Sequence, residues 1–261
     1  MKSRPLLSFF VAVFLITWSV AAAAVFASDW FGRVFGPLSA SNPMFFLGVY
    51  APSLVSIALT AAFEGWTGLQ QLFARLNPRR CHPVWYLVVI AGFLALTGVA
   101  GWVGSLFGGP APGWHFSGAI AALAGGVIFD AGPLGEELGW RGFALPRMLR
   151  RWNPLRASLI LGAIWGVWHL PAFYVSTLSQ SQMSFPIFVL GAISLSVVIC
   201  WLFLKSNGSV LITILAHVMA NHANDVTGGT FNQLTYGLAV VAVILVATGQ
   251  MAARPSTDPA A

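Results

Sequence analysis

Long apolar runs alternate with short polar gaps along the chain. Eight runs reach or approach the length of a bilayer-crossing helix, about 20 residues: 6–27, 43–63, 84–107, 116 to about 146, 157–174, 185–204, 209–221 and 234–251. Apolar positions are continuous within each run and do not alternate, which favours helices over strands of a barrel. The seventh run is short and lies between Asn207-Gly208 and Asn224-Asp225. The fourth is long, and Gly132-Pro133 is expected to kink it. The pattern predicts an all-α polytopic membrane protein of about eight transmembrane helices, one integral membrane domain over 1–261. Residues 252–261 read as a disordered tail, and no internal repeat is evident.

Composition strengthens that reading. The chain is 57% hydrophobic and only 8% charged, with mean hydropathy +0.80. A soluble surface needs many more charges. The net charge of +6 is explained by topology. With the N-terminus in the cytosol and eight spans threaded, eleven of the 13 Lys and Arg lie inside, Arg33 lies outside and Arg141 lies within a span. That is the positive-inside bias, and no nucleic-acid partner is needed to account for it. Both termini are expected in the cytosol, in a bacterial inner membrane. The first run could be read as a signal peptide, since Lys2 and Arg4 precede it and Val25-Phe26-Ala27 resembles a cleavage site. Signal cores are usually about 7–15 residues, so a retained helix is favoured. Cys81 and Cys200 form neither a disulfide framework nor a CxxC metal site.

Against this background the ionisable residues inside the spans carry the information, because such groups are costly at membrane depth. Glu136-Glu137-x-x-x-Arg141 comes first. Glu137 and Arg141 are four apart and share a helix face, so they are expected to neutralise each other, leaving Glu136 free. Asp130 is a further acid in the same run with no evident partner. In the second cluster Trp165 and His169 share a face just before Pro171. In the third, His217 and Asn221 project from one face, while His222 points elsewhere and reads as interfacial. Taken singly, the second and third clusters are as well explained by helix packing.

Depth brings them together. Glu136 lies eleven residues before Arg147, His169 thirteen after Arg156 and His217 twelve after Lys205. At 1.5 Å per residue each is roughly 16–20 Å from the basic surface. The site so formed is expected to open toward the cytosol. A carboxylate with an imidazole partner suits activation of water, and a second imidazole with an amide suits an oxyanion. Alternatively, Glu136, His169 and His217 form a His₂Glu set that would bind a divalent metal such as zinc with a position left for water. No HExxH motif is present, so a metal is not demanded.

At these residues the chain resembles the CPBP family of intramembrane proteases, which includes CAAX prenyl proteases and proteins linked to bacteriocin self-immunity. The family pattern is Glu-Glu-x-x-x-Arg, aromatic-x-x-x-His and His-x-x-x-Asn or Asp. Here it reads Glu136-Glu137-x-x-x-Arg141, Trp165-x-x-x-His169 and His217-x-x-x-Asn221, within a core at about 116–222. Trp165 stands where Phe is usual. The resemblance implies endoproteolysis of a membrane-associated protein or peptide within the lipid bilayer. Glu136 and His169 would activate water. His217 and Asn221 would stabilise the oxyanion or, in the metalloprotease view, help to hold the metal. Glu137, Arg141 and Trp165 would support them. The rival readings are a transporter or proton relay, and a non-catalytic immunity scaffold. Nothing in the chain specifies a prenylated substrate.

Overall fold

The structure, a computed structural model, describes residues 5–115, 125 and 130–252. The described elements are helices joined by short loops. They are α1 (Pro5–Phe26), α2 (Ser28–Phe35), α3 (Pro43–Ala74), α4 (Val84–Ser105), α5 (Ala131–Glu137), a π-helical segment (Leu138–Ala144), α6 (Leu145–Leu149), α7 (Pro154–Trp168), α8 (Phe185–Lys205), α9 (Val210–Thr227) and α10 (Phe231–Ala247). By length and apolarity α1, α3, α4, α8 and Pro154–Tyr174 qualify as membrane spans, while α10 is apolar but shorter. Much of the predicted fourth span, 116–124 and 126–129, lies outside the described residues, as does most of the predicted tail, 253–261. Large apolar side chains such as Leu15, Leu87, Val99 and Val243 are exposed around the bundle, as a lipid-facing surface requires.

Helix ends follow local chemistry. Asn42 precedes Pro43 and accepts from Met44 N at 2.8 Å. Asn153 precedes Pro154 and accepts from Arg156 N at 2.8 Å. In both, a side-chain oxygen satisfies an orphan N–H while Pro occupies the first turn. Thr230 and Gln233 form a reciprocal capping box at α10. Within α3, Gly65 (φ 65°) breaks the helix, close to the sequence-predicted end of that span at 63. Pro52 has no N–H to give to the carbonyl of Gly48, four residues earlier. Thr17 of α1 donates its hydroxyl to that carbonyl at 2.8 Å. The first helix is therefore part of the bundle: Phe9 and Val13 are fully buried, and Phe9 meets Trp140 edge-on at 5.4 Å.

Small residues set the closest approaches. A Cβ on Gly139 would stand 2.5 Å from the Pro52 backbone, and one on Gly135 2.9 Å from Val49 O. These two glycines, four apart, seat α5 and the π segment against α3. A Cβ on Gly162 would stand 2.7 Å from Ile193 Cα, so α7 lies directly on α8. The polar stretch departs from the continuous helix its spacing suggests. Its α-helix ends at Glu137, and Leu145 N bonds back five residues to Trp140 O. All seven residues of the π segment are buried. Such segments are often found at functional sites.

Candidate active site

Glu136 and Glu137 share one turn, yet their surroundings differ. Glu137 is fully buried and meets Arg141 Nη1 at 2.7 Å, the i,i+4 pair that the spacing predicts. The same oxygen accepts a hydrogen bond from His217 Nδ1 at 3.0 Å. Arg141 also lies over the Trp165 ring, 4.5 Å from its centroid. The supporting pair thus touches both α7 and α9. Glu136 is not free as expected: Trp165 Nε1 donates to its Oε2 at 2.6 Å, and both residues are buried. The sequence spacing could not reveal that contact, because the two residues lie on different helices.

The histidines are fixed through their Nδ1 atoms. His169 caps the end of α7, and its Nδ1 donates to Trp165 O at 2.8 Å. A carbonyl only accepts, so in the neutral ring Nε2 carries the lone pair. The same logic applies to His217, whose Nδ1–H points at a carboxylate. Both rings pack edge-on to Trp165, at 5.5 and 5.1 Å between centroids. One indole thereby contacts Glu136, Arg141, His169 and His217.

A second polar group stands beside this one. Asp130 caps α5 by accepting from Gly132 N at 3.1 Å. Its other oxygen accepts from Asn221 Nδ2 at 2.8 Å and lies 3.0 Å from His222 Nε2. Asp130, without an evident partner in the sequence, therefore has two, and His222 does not point away. At i,i+1 on a helix, Asn221 and His222 diverge by about 100°; a carboxylate at the N-terminus of a facing helix reaches both. The available signal was an acid in an apolar run. Asn221 and His217 do not pair with each other; each is bonded to a different acid. Gly132 lies between the groups: a Cβ there would be 3.4 Å from Glu136 Oε1 and 3.9 Å from Asn221 Nδ2.

All four residues to which the sequence assigns catalysis, Glu136, His169, His217 and Asn221, line one cavity of about 740 Å³ together with Asp130 and His222. Its remaining walls are largely apolar. Glu136, His169 and His217 were also a candidate metal set. Among the described residues no group of three His, Cys, Asp or Glu is arranged to hold a metal ion. As placed, the donors do not fit one, and no step below is routed through a metal.

The fold and this constellation define an all-α membrane protein with a buried carboxylate–imidazole site. Residues 119–223 match the family model described as type II CAAX prenyl endopeptidase Rce1-like. CAAX prenyl protease 2 of Methanococcus maripaludis is 32% identical over 92 residues, which cover 33% of this chain and 34% of that protein. The match thus spans about a third of the curated relative. The three motifs that carry the CPBP resemblance all fall inside the matched segment, residues 119–223.

Proposed function

We propose that the protein is an intramembrane endopeptidase that hydrolyses a peptide bond in a membrane-associated protein or peptide, with Glu136 and His169 activating the water. The observation that carries this reading is the placement of the Glu136 carboxylate in the cavity with His169 and His217 around one shared indole. Water adds to the scissile carbonyl as its proton passes to Glu136. The tetrahedral oxyanion forms on the side of His217 and Asn221. With its Nδ1–H held by Glu137, His217 donates from Nε2 only as the imidazolium. Asn221 gives one amide N–H to Asp130 and keeps a second for substrate. The C–N bond then breaks, the departing nitrogen takes the proton from Glu136, and a carboxylic acid and an amine leave, with Glu136 restored as the carboxylate.

The buried ion pair has a supporting role here. Glu137–Arg141 holds His217 by a hydrogen bond and Trp165 by a cation–π contact. A transporter reading is less well supported. Every residue of the π segment behind Glu136 is buried, with Trp140 and Phe143 at 0% exposure, so a polar path through the bundle is interrupted there. The test is cleavage of membrane peptides by wild type and by Glu136→Gln. Abolished cleavage in a folded variant supports hydrolysis by this carboxylate, and unchanged cleavage refutes it.

A further inference from the structure

The cavity lies toward one end of the bundle. Its lining comes from the C-terminal part of α1, the first turns of α3, the end of α7, the first half of α8, the latter part of α9 and the first half of α10. Among the described lining residues the exposed ones include Ala40, Phe46, Ser179 and Asn221. Ala40 and Ser179 belong to the loops 36–42 and 175–184. These loops are tied to each other, Thr177 Oγ1 donating to Leu38 O. At the same end Gly113 N bonds Thr227 O at 3.0 Å.

The basic residues gather at the opposite end. Arg75, Arg79, Arg80, the four arginines of 147–156 and Lys205 occupy the loops and helix ends there. Those loops are likewise tied together: Arg80 Nε donates to Asn207 O at 2.8 Å, Val210 N to Arg75 O at 2.9 Å, and Arg147 pairs with Glu64. None of the described cavity-lining residues comes from 64–83, 146–156 or 204–210. Between Glu136 and this basic belt stands the buried π segment. The carboxylate is therefore sealed from the basic end and accessible from the other.

Lys and Arg near helix ends mark the cytosolic face. We infer that the site is served from the extracytoplasmic face, and that its substrate is a peptide segment presented there, in the outer half of the bilayer or just above it. This departs from the expectation of a cytosolic opening. Counting residues from the basic loops gave the depth of Glu136, His169 and His217 but not the side on which they are open. The mouth rests on geometry and charge alone; what passes through it rests on the endopeptidase reading. Apolar walls with a polar group at the closed end fit an extended, largely apolar segment better than a charged one.

Cysteine labelling in intact cells tests the inference without requiring activity. In a Cys81→Ser, Cys200→Ala background, single cysteines are placed at Ala40 and Ser179 by the mouth, and at Gln71 and Asn207 by the basic belt. A membrane-impermeant maleimide should label the first two in intact cells, and the second two only after permeabilisation. The reverse pattern, or labelling of the mouth only after permeabilisation, overturns the inference. Peptide termini gained in wild-type cells over Glu136→Gln cells should fall in extracytoplasmic segments; termini in cytosolic segments overturn it as well. If no termini are gained, the endopeptidase reading fails while the labelling result still decides the orientation of the mouth.

Discussion

Trp165 and Glu136, 29 residues apart in sequence, meet inside the bundle with an indole N–H to carboxylate distance of 2.6 Å. A hydrogen bond to a charged group contributes about 1.5–3 kcal/mol. Trp165→Phe keeps an aromatic ring, and with it the packing against the two imidazoles, but removes the donor. Its cleavage rate should fall about 10- to 100-fold, measured on purified protein against one peptide, with substrate affinity little changed. An unchanged rate would mean that the indole only fills space.

Glu137 and Glu136 should respond differently to the same chemical change. Removing one partner of a buried ion pair typically costs about 3–5 kcal/mol. Glu137→Gln leaves Arg141 uncompensated at 0% exposure and weakens the hold on His217. Thermal unfolding in detergent should therefore show a lower midpoint for Glu137→Gln, together with lost activity. Glu136→Gln keeps an oxygen for the Trp165 N–H, and its midpoint should stay near that of wild type.

Two glycine-to-alanine changes separate folding from function. Gly139→Ala would put a methyl 2.5 Å from the Pro52 backbone. Two helices must then move apart, at a cost of about 1–3 kcal/mol or more, read as a lowered unfolding midpoint. Gly132→Ala meets its neighbours at 3.4 Å and beyond, which is ordinary contact. That variant should fold normally and lose most of its activity, because the methyl occupies space between Glu136 and Asn221.

Asp130 and Asn221 should act as a unit. If Asp130 orients the Asn221 amide, Asp130→Ala and Asn221→Ala should each slow cleavage, and the double variant should be little worse than the slower single one. Additive effects would separate the two residues.

Metal removal gives a further check. Because, among the described residues, the acidic and imidazole groups are not arranged as a metal site, treatment with a chelator should leave the cleavage rate of the purified protein unchanged. Loss of activity that zinc restores would require a different placement of Glu136, His169 and His217.

Local spacing made part of this legible from sequence. Glu137 and Arg141 are one helical turn apart, so their pairing follows from the period of the helix, and it survives the switch to π geometry directly after Glu137. Convergence of Glu136, His169 and His217 followed from their equal distance to basic loops. The contacts that complete the site run between helices and have no sequence period: Trp165 to Glu136, His217 to Glu137, and Asp130 to Asn221 and His222. The π segment was equally hidden, since the spacing of the stretch fits one continuous helix and the seating of Gly135 and Gly139 on α3 is a contact between helices. The side on which the cavity opens required knowing which loops enclose it.

Peptide hydrolysis by purified wild type and Glu136→Gln, run beside thermal unfolding of both, tests the central claim most directly. The two proteins should unfold at similar temperatures, with hydrolysis detectable only in wild type. Equal hydrolysis by the two would contradict the assignment of Glu136 as the base.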